Sequence, residues 1–145
     1  MNIFFDTTVL VAASVQSHPH YAQAWPAVRR VASREDKGFI GAHTIAEVYA
    51  TLTRLSVQPR IHPAEADRII TVNLLPHFEV VAADKTDYID AMRHMSNNGW
   101  SGAKIYDVLL LCSAAKCSPD RIYTFNLGDF RQLASGNLLN KICAP

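Results

Sequence analysis

Five short apolar runs punctuate the chain, and longer stretches with apolar residues at helical spacing lie between them. The runs NIFF, GFIG, FEVV, RIYTF and the terminal NKICA are too short for helices and are bounded by polar or turn-forming residues, so each is expected to be a strand. AEVYATLTRL, AEADRIITVNLL and DYIDAMRHM repeat apolar positions every three to four residues, the period of an amphipathic helix. Strand and helix in turn predict an α/β fold, with a parallel sheet covered on both faces and ligands bound beyond the carboxyl ends of the strands. Pro26 argues against one uninterrupted helix from His20 to Arg34, because proline lacks an amide donor and crowds the preceding turn. SVQPRIHP reads as a break between two helices. No repeat, linker or low-complexity tract divides the chain, so residues 1–145 are expected to form one domain.

Composition narrows this picture. Apolar residues make up 49% and charged ones 19%, the balance of a folded chain and not of a disordered one. The apolar runs fall short of the roughly 20 residues a membrane span needs, and IFFDTTVLVAAS lacks a basic leader and carries Asp6. A cytoplasmic location with no membrane partner is the expectation. Cys112, Cys117 and Cys143 are odd in number, sit in apolar context and lack zinc-site spacing, so reduced core thiols are expected. The formal charge of +1 gives no basic face of the kind many nucleic-acid binders carry. Cations neutralising several acids would leave a basic remainder, so a phosphate-bearing partner is not excluded.

IYDVLLLCSAA raises the chemical question, because every neighbour of Asp107 in it leaves water more readily than a carboxylate does. An unpaired buried carboxylate costs several kcal/mol, so Asp107 must be protonated, paired, exposed or bound to a cation. Ser101 or Gly102 is the expected helix start, which puts Asp107 more than a turn inside and beyond any capping role. Three other acids fall at comparable places. Asp6 follows the strand NIFF and suits a helix N-cap; Thr44 and Glu47 fit a capping box; Asp129 suits a cap with Gln132 three residues on. In the expected fold all four can face one end of the sheet. At ~5 Å and an effective dielectric near 20, each ionised pair would repel by ~3 kcal/mol. A hard divalent cation removes that repulsion, and all-oxygen ligands favour Mg²⁺ or Mn²⁺ over zinc. The chemistry implied is phosphodiester or phosphoryl hydrolysis. Thr124 and Asn126, at the mouth of RIYTF, can orient a carboxylate or a water.

FDTTVLVAA, HTIAEVYATLTR, IYDVLLLCSAA and IYTFNLGDF together resemble the four acidic motifs of PIN domains, specifically the compact VapC-type toxins. The resemblance spans essentially the whole chain. It implies a five-stranded parallel sheet flanked by helices, Mg²⁺ or Mn²⁺ dependence and endoribonuclease activity. It also implies homodimerisation and neutralisation by a small protein antitoxin lying across the active-site groove. Carried over to this sequence, Asp6 and Asp107 become the main metal ligands, Asp129 a ligand or water-mediated contact, Glu47 a ligand or water-orienting acid, and Asn126 a support. Two departures stand out. Thr8 occupies a position where many relatives carry Asn, keeping an oxygen but losing an amide donor, and Asn126 stands where some PIN domains carry an acid.

Rival readings stay open at this point. A haloacid-dehalogenase-like phosphatase also places Asp after an apolar strand, but its chemistry calls for a second acid two residues on, where this chain has Thr8. A non-catalytic module binding RNA or protein is the other rival. His18 and His20 read as a solvated loop before a helix. Trp25, Tyr49 and Leu52 read as core, with a partner groove as the alternative. Arg29, Arg30 and Arg34 read as a solvated helix face, with a phosphate-facing patch as the alternative. Nothing in the residues distinguishes RNA from DNA.

Overall fold

The computed structural model describes all residues from Met1 to Pro145. Its five strands are β1 (Asn2–Phe5), β2 (Lys37–Gly41), β3 (Phe78–Val81), β4 (Arg121–Tyr123) and β5 (Ile142–Cys143), each within one of the five expected runs or starting one residue before it. They form one all-parallel sheet in the order β3-β2-β1-β4-β5. The helices are α1 (Thr7–Ser14), α2 (Tyr21–Ala32), α3 (Ala42–Arg54), α4 (Pro63–Arg68), α5 (Lys85–Asn97), α6 (Lys104–Lys116) and α7 (Leu127–Leu133). No helix is long and apolar enough to cross a membrane.

Alternate residues of a strand point to opposite faces, and β1 shows why no polar position interrupts Ile3–Phe5. Ile3 and Phe5 enter one core with α1, α2 and α3, whereas Phe4 enters a second core with α5, α6 and α7. With β1 covered on both sides, a continuous apolar run results. Gly41, at the end of β2, lets α6 approach: a Cβ there would stand 2.7 Å from Leu110. That approach brings the first turn of α6 beside the first turns of α3.

Several boundaries differ from expectation for identifiable reasons. Helix α2 runs through Pro26, because the tertiary burial of Ala24, Ala27, Val28 and Val31 outweighs one missing backbone bond. AEADRIITVNLL is not one α-helix: α4 widens into π-helical turns over Ile69–Leu74, which keep Ile70 and Leu74 in the core. The break between α3 and α4 falls where SVQPRIHP placed it. Leu52 is fully buried, but Trp25 and Tyr49 are 43% and 41% exposed. On α3 the core-facing pair is Val48 and Leu52, one turn apart, so Tyr49 is rotated off that face. Trp25 stacks on Tyr21 at the surface. All three cysteines are free and half-buried, not fully enclosed.

Candidate active site

Asp6 ends β1 and caps α1, so the structural role open to it is realised, but capping accounts for little of its environment. The Thr8 hydroxyl (2.6 Å) and the Thr124 hydroxyl (2.8 Å) both donate to Asp6 Oδ2, and the Thr8 amide is a longer third donor at 3.4 Å. Burial nevertheless pushes the Asp6 carboxyl above its ordinary range, opposed by these bonds. Thr124 also accepts from the Asn126 amide, and Thr8 accepts from the Phe125 amide, so the β4–α7 turn and the start of α1 are laced together around one carboxylate.

Glu47 does not form the expected capping box. Helix α3 begins at Ala42 with Gly41 as its cap, which moves Glu47 into the second turn and leaves the buried Thr44 hydroxyl without a partner. Glu47 is instead held across the site by the Thr7 hydroxyl at 2.5 Å, with His43 Nε2 3.6 Å from its other oxygen. Thr7 and His43 are absent from the residues singled out in the sequence. The Thr-Thr pair is the signal for the first, since adjacent helical positions diverge by about 100° and serve two different acids.

Asp129 lies in the first turn of α7, after the cap Asn126, and accepts from the Asn126 amide group at 3.0 Å. Asp129 therefore does not cap the helix. The Lys104 ammonium stands 4.0 Å from its other oxygen and donates to Gln132. Asp107 is also nearer a helix start than expected, because the positive φ of Gly102 (75°) delays α6 to Lys104. Its carboxyl is pushed up to about 7, first by burial, then by the charges of Asp6, Glu47 and Asp129, with Lys104 pulling the other way. The four acids thus share one electrostatic neighbourhood at the carboxyl end of the sheet.

No three His, Cys, Asp or Glu side chains are already gathered at metal-holding geometry. The donor set still suits a hard cation. Mg²⁺ typically takes one or two carboxylates and keeps several waters, and here every candidate ligand is an oxygen, with charges whose mutual repulsion a cation would relieve.

Arg30 is committed to Asp36 (2.7 Å) and Glu35 (2.8 Å) at the opposite end of the sheet, so it contributes to neither a free patch nor this site. His20 is exposed but stacks on Phe125, and His18 Nδ1 accepts from the His20 amide.

A family model described as PIN domain matches residues 3–135. The chain belongs to the PIN-domain family. Ribonuclease VapC27 of Mycobacterium tuberculosis is 28% identical over 113 residues, covering 77% of this chain and 75% of that relative. The solved structure of Mycobacterium tuberculosis VapC20, described as a sarcin-ricin loop cleaving toxin, matches with TM-score 0.69 at 18% identity, over 94% of this chain and 98% of that one. VapBC2 from Rickettsia felis, solved on a DNA fragment from its promoter, matches with TM-score 0.66 at 16% identity, over 99% and 98%. At such identity these two neighbours speak for the fold of the PIN domain alone.

Proposed function

We propose that this PIN domain is an endoribonuclease dependent on Mg²⁺ or Mn²⁺, the toxin of a toxin–antitoxin pair. The observation that carries the reading is the meeting of Asp6, Glu47, Asp107 and Asp129 at the carboxyl end of a sheet, in a chain of this family. The relative named as a ribonuclease supports RNA as the substrate, and the neighbour solved as a VapBC complex supports a protein partner. A small antitoxin across the groove, a homodimer and a cytoplasmic location complete the proposal, with residues 1–145 as one domain. Exposed Trp25 and Tyr49 offer aromatic surface for protein contacts.

When bound, the cation supplies Lewis acidity toward a phosphate oxygen and toward the attacking water. Asp6 and Asp107 are the carboxylates proposed to hold it, Asp6 locked in orientation by Thr8 and Thr124. Glu47, fixed by Thr7, is placed to hold the cation or to orient water, and Asp129, steadied by Asn126, to contact the cation directly or through water. Lys104 sets a positive charge at the rim for a substrate phosphate. The phosphatase alternative loses its general acid, because the residue at position 8 is a hydroxyl already spent on Asp6.

The test is incubation of the purified protein with total cellular RNA in Mn²⁺ or Mg²⁺, beside an EDTA control and Asp107→Asn, with mapping of the cut ends. Discrete cleavage lost in both controls is expected. Intact RNA, together with no cation-dependent rise in melting temperature, would shift the assignment to a non-catalytic binding module.

A further inference from the structure

Two pairs of stacked rings flank the acid cluster, and the phosphodiester chemistry uses neither. His43, in the first turn of α3, stacks on Tyr106, in the first turn of α6, with centroids 4.9 Å apart and planes within 9°. His20 stacks on Phe125 at 4.3 Å and 15°. The first pair adjoins the cluster through Glu47, 3.6 Å from His43, and through Asp107, the residue after Tyr106. The second adjoins it through Thr8, which accepts from the Phe125 amide while donating to Asp6, and through Asn126, the residue after Phe125. Beside this second pair opens a cleft of about 370 Å³, whose walls include Thr7, Thr8, His18 and Asn126.

The His43–Tyr106 pair is part-open to solvent, and His20 lies on the surface over Phe125, itself partly buried against the core that holds Ile3 and Phe5. Tyr106 is 44% exposed, the His43 side chain 36%, and His20 is an exposed residue. Parallel, part-open rings, three of the four with a polar edge, suit nucleobases, because every base has a flat face and stacking tolerates sequence. A protein partner's side chains would gain more from a closed apolar pocket than from two open ring faces. Lys104, two residues before Tyr106 and 4.0 Å from Asp129, supplies a cation along the backbone path on the first side. We propose that His43–Tyr106 and His20–Phe125 are base-stacking platforms that hold unpaired nucleotides on either side of the scissile phosphate of single-stranded RNA. The proposal rests on the ribonuclease reading and adds to it the side chains that hold the flanking bases, which must be free to splay onto a ring, as in loops and ends, and not already stacked in a duplex.

Fluorescence anisotropy with labelled ten-residue oligouridylate tests this in Ca²⁺, with strand integrity checked on a gel. A base-paired duplex and an oligomer of abasic ribose phosphates serve as comparisons. Tyr106→Ala and His20→Ala are each expected to weaken single-strand binding about 5-fold or more. Tyr106→Trp, which restores a ring face, is expected to bind at least as tightly as the natural protein. The abasic oligomer is expected to bind weakly and equally to all. Single-strand affinity unchanged in both alanine variants, or no measurable binding by the natural protein, overturns the platforms and leaves the rings to a protein partner. Ring-dependent binding without any RNA cleavage in Mn²⁺ would keep the platforms and remove the ribonuclease. Cleavage with ring-independent binding would do the reverse.

Discussion

At the amino end of the sheet, Asp36 lies 2.8 Å from the Met1 ammonium and 2.7 Å from the Arg30 guanidinium; at the carboxyl end, Asp107 faces three carboxylates and one lysine. The hydrogen bond from Arg30 leads the influences that hold Asp36 below the usual carboxylate range, while burial and then its acidic neighbours raise Asp107 to about 7. The same residue type is therefore a strut at one end and a held-back charge at the other. That imbalance is the physical ground for proposing a cation at the carboxyl end and none at the amino end.

The sharpest way to break this contrast is Asp107→Asn, which removes a proposed cation ligand and is expected to lower RNA cleavage about 100-fold or more. Full activity in that variant would place the chemistry elsewhere.

Stability against pH comes next. A carboxyl raised in the folded state contributes stability that is fully present below its unfolded value of about 4 and is lost as pH rises through about 7. In EDTA the protein is therefore expected to lose on the order of 2 kcal/mol between pH 5 and pH 8, discounted for partial exposure. Mg²⁺ is expected to return most of it. A flat melting temperature across that range would contradict the clustering of the four charges.

Asp36→Asn should act with the opposite sign. Its contribution is present above the ordinary carboxylate range and is lost as pH falls through its depressed value. The variant is expected to lose about 1–2 kcal/mol at pH 7, less than a fully buried pair would, because Met1 and Arg30 are each about half exposed. In EDTA at pH 8, Asp107→Asn should instead stabilise, and urea titrations of the two variants side by side give the signs. The smallest effect is Thr7→Val, which frees Glu47 and is expected to cost about 1 kcal/mol of transition-state stabilisation, roughly 5-fold in cleavage rate.

How much of this was legible in the sequence follows from how each signal arises. The strands were legible because a two-sided sheet demands unbroken apolar runs such as NIFF and GFIG. The acids were legible because a carboxylate inside IYDVLLLCSAA has no apolar excuse. The helix starts were not, since they depend on Gly41 acting as the cap of α3 and on the positive φ of Gly102, neither of which alters hydrophobic periodicity. The partnership of Thr7 with Glu47 spans forty residues and exists only once α1 and α3 are packed. The two ring stacks share that invisibility, because each joins residues from elements distant in sequence.

The sheet order also sets a schedule. β1 is made first yet sits in the middle, so one of its sides stays bare until residues 121–143 have been synthesised and β4 and β5 are laid down. Before then a growing chain already carries Asp6 and Glu47, but it lacks the Thr124 hydroxyl that seats Asp6 and lacks Asp129 altogether. The four-acid cluster is thus complete only after β4 and α7 have been made, and a partly made chain lacks both one of its carboxylates and the hydroxyl that fixes another.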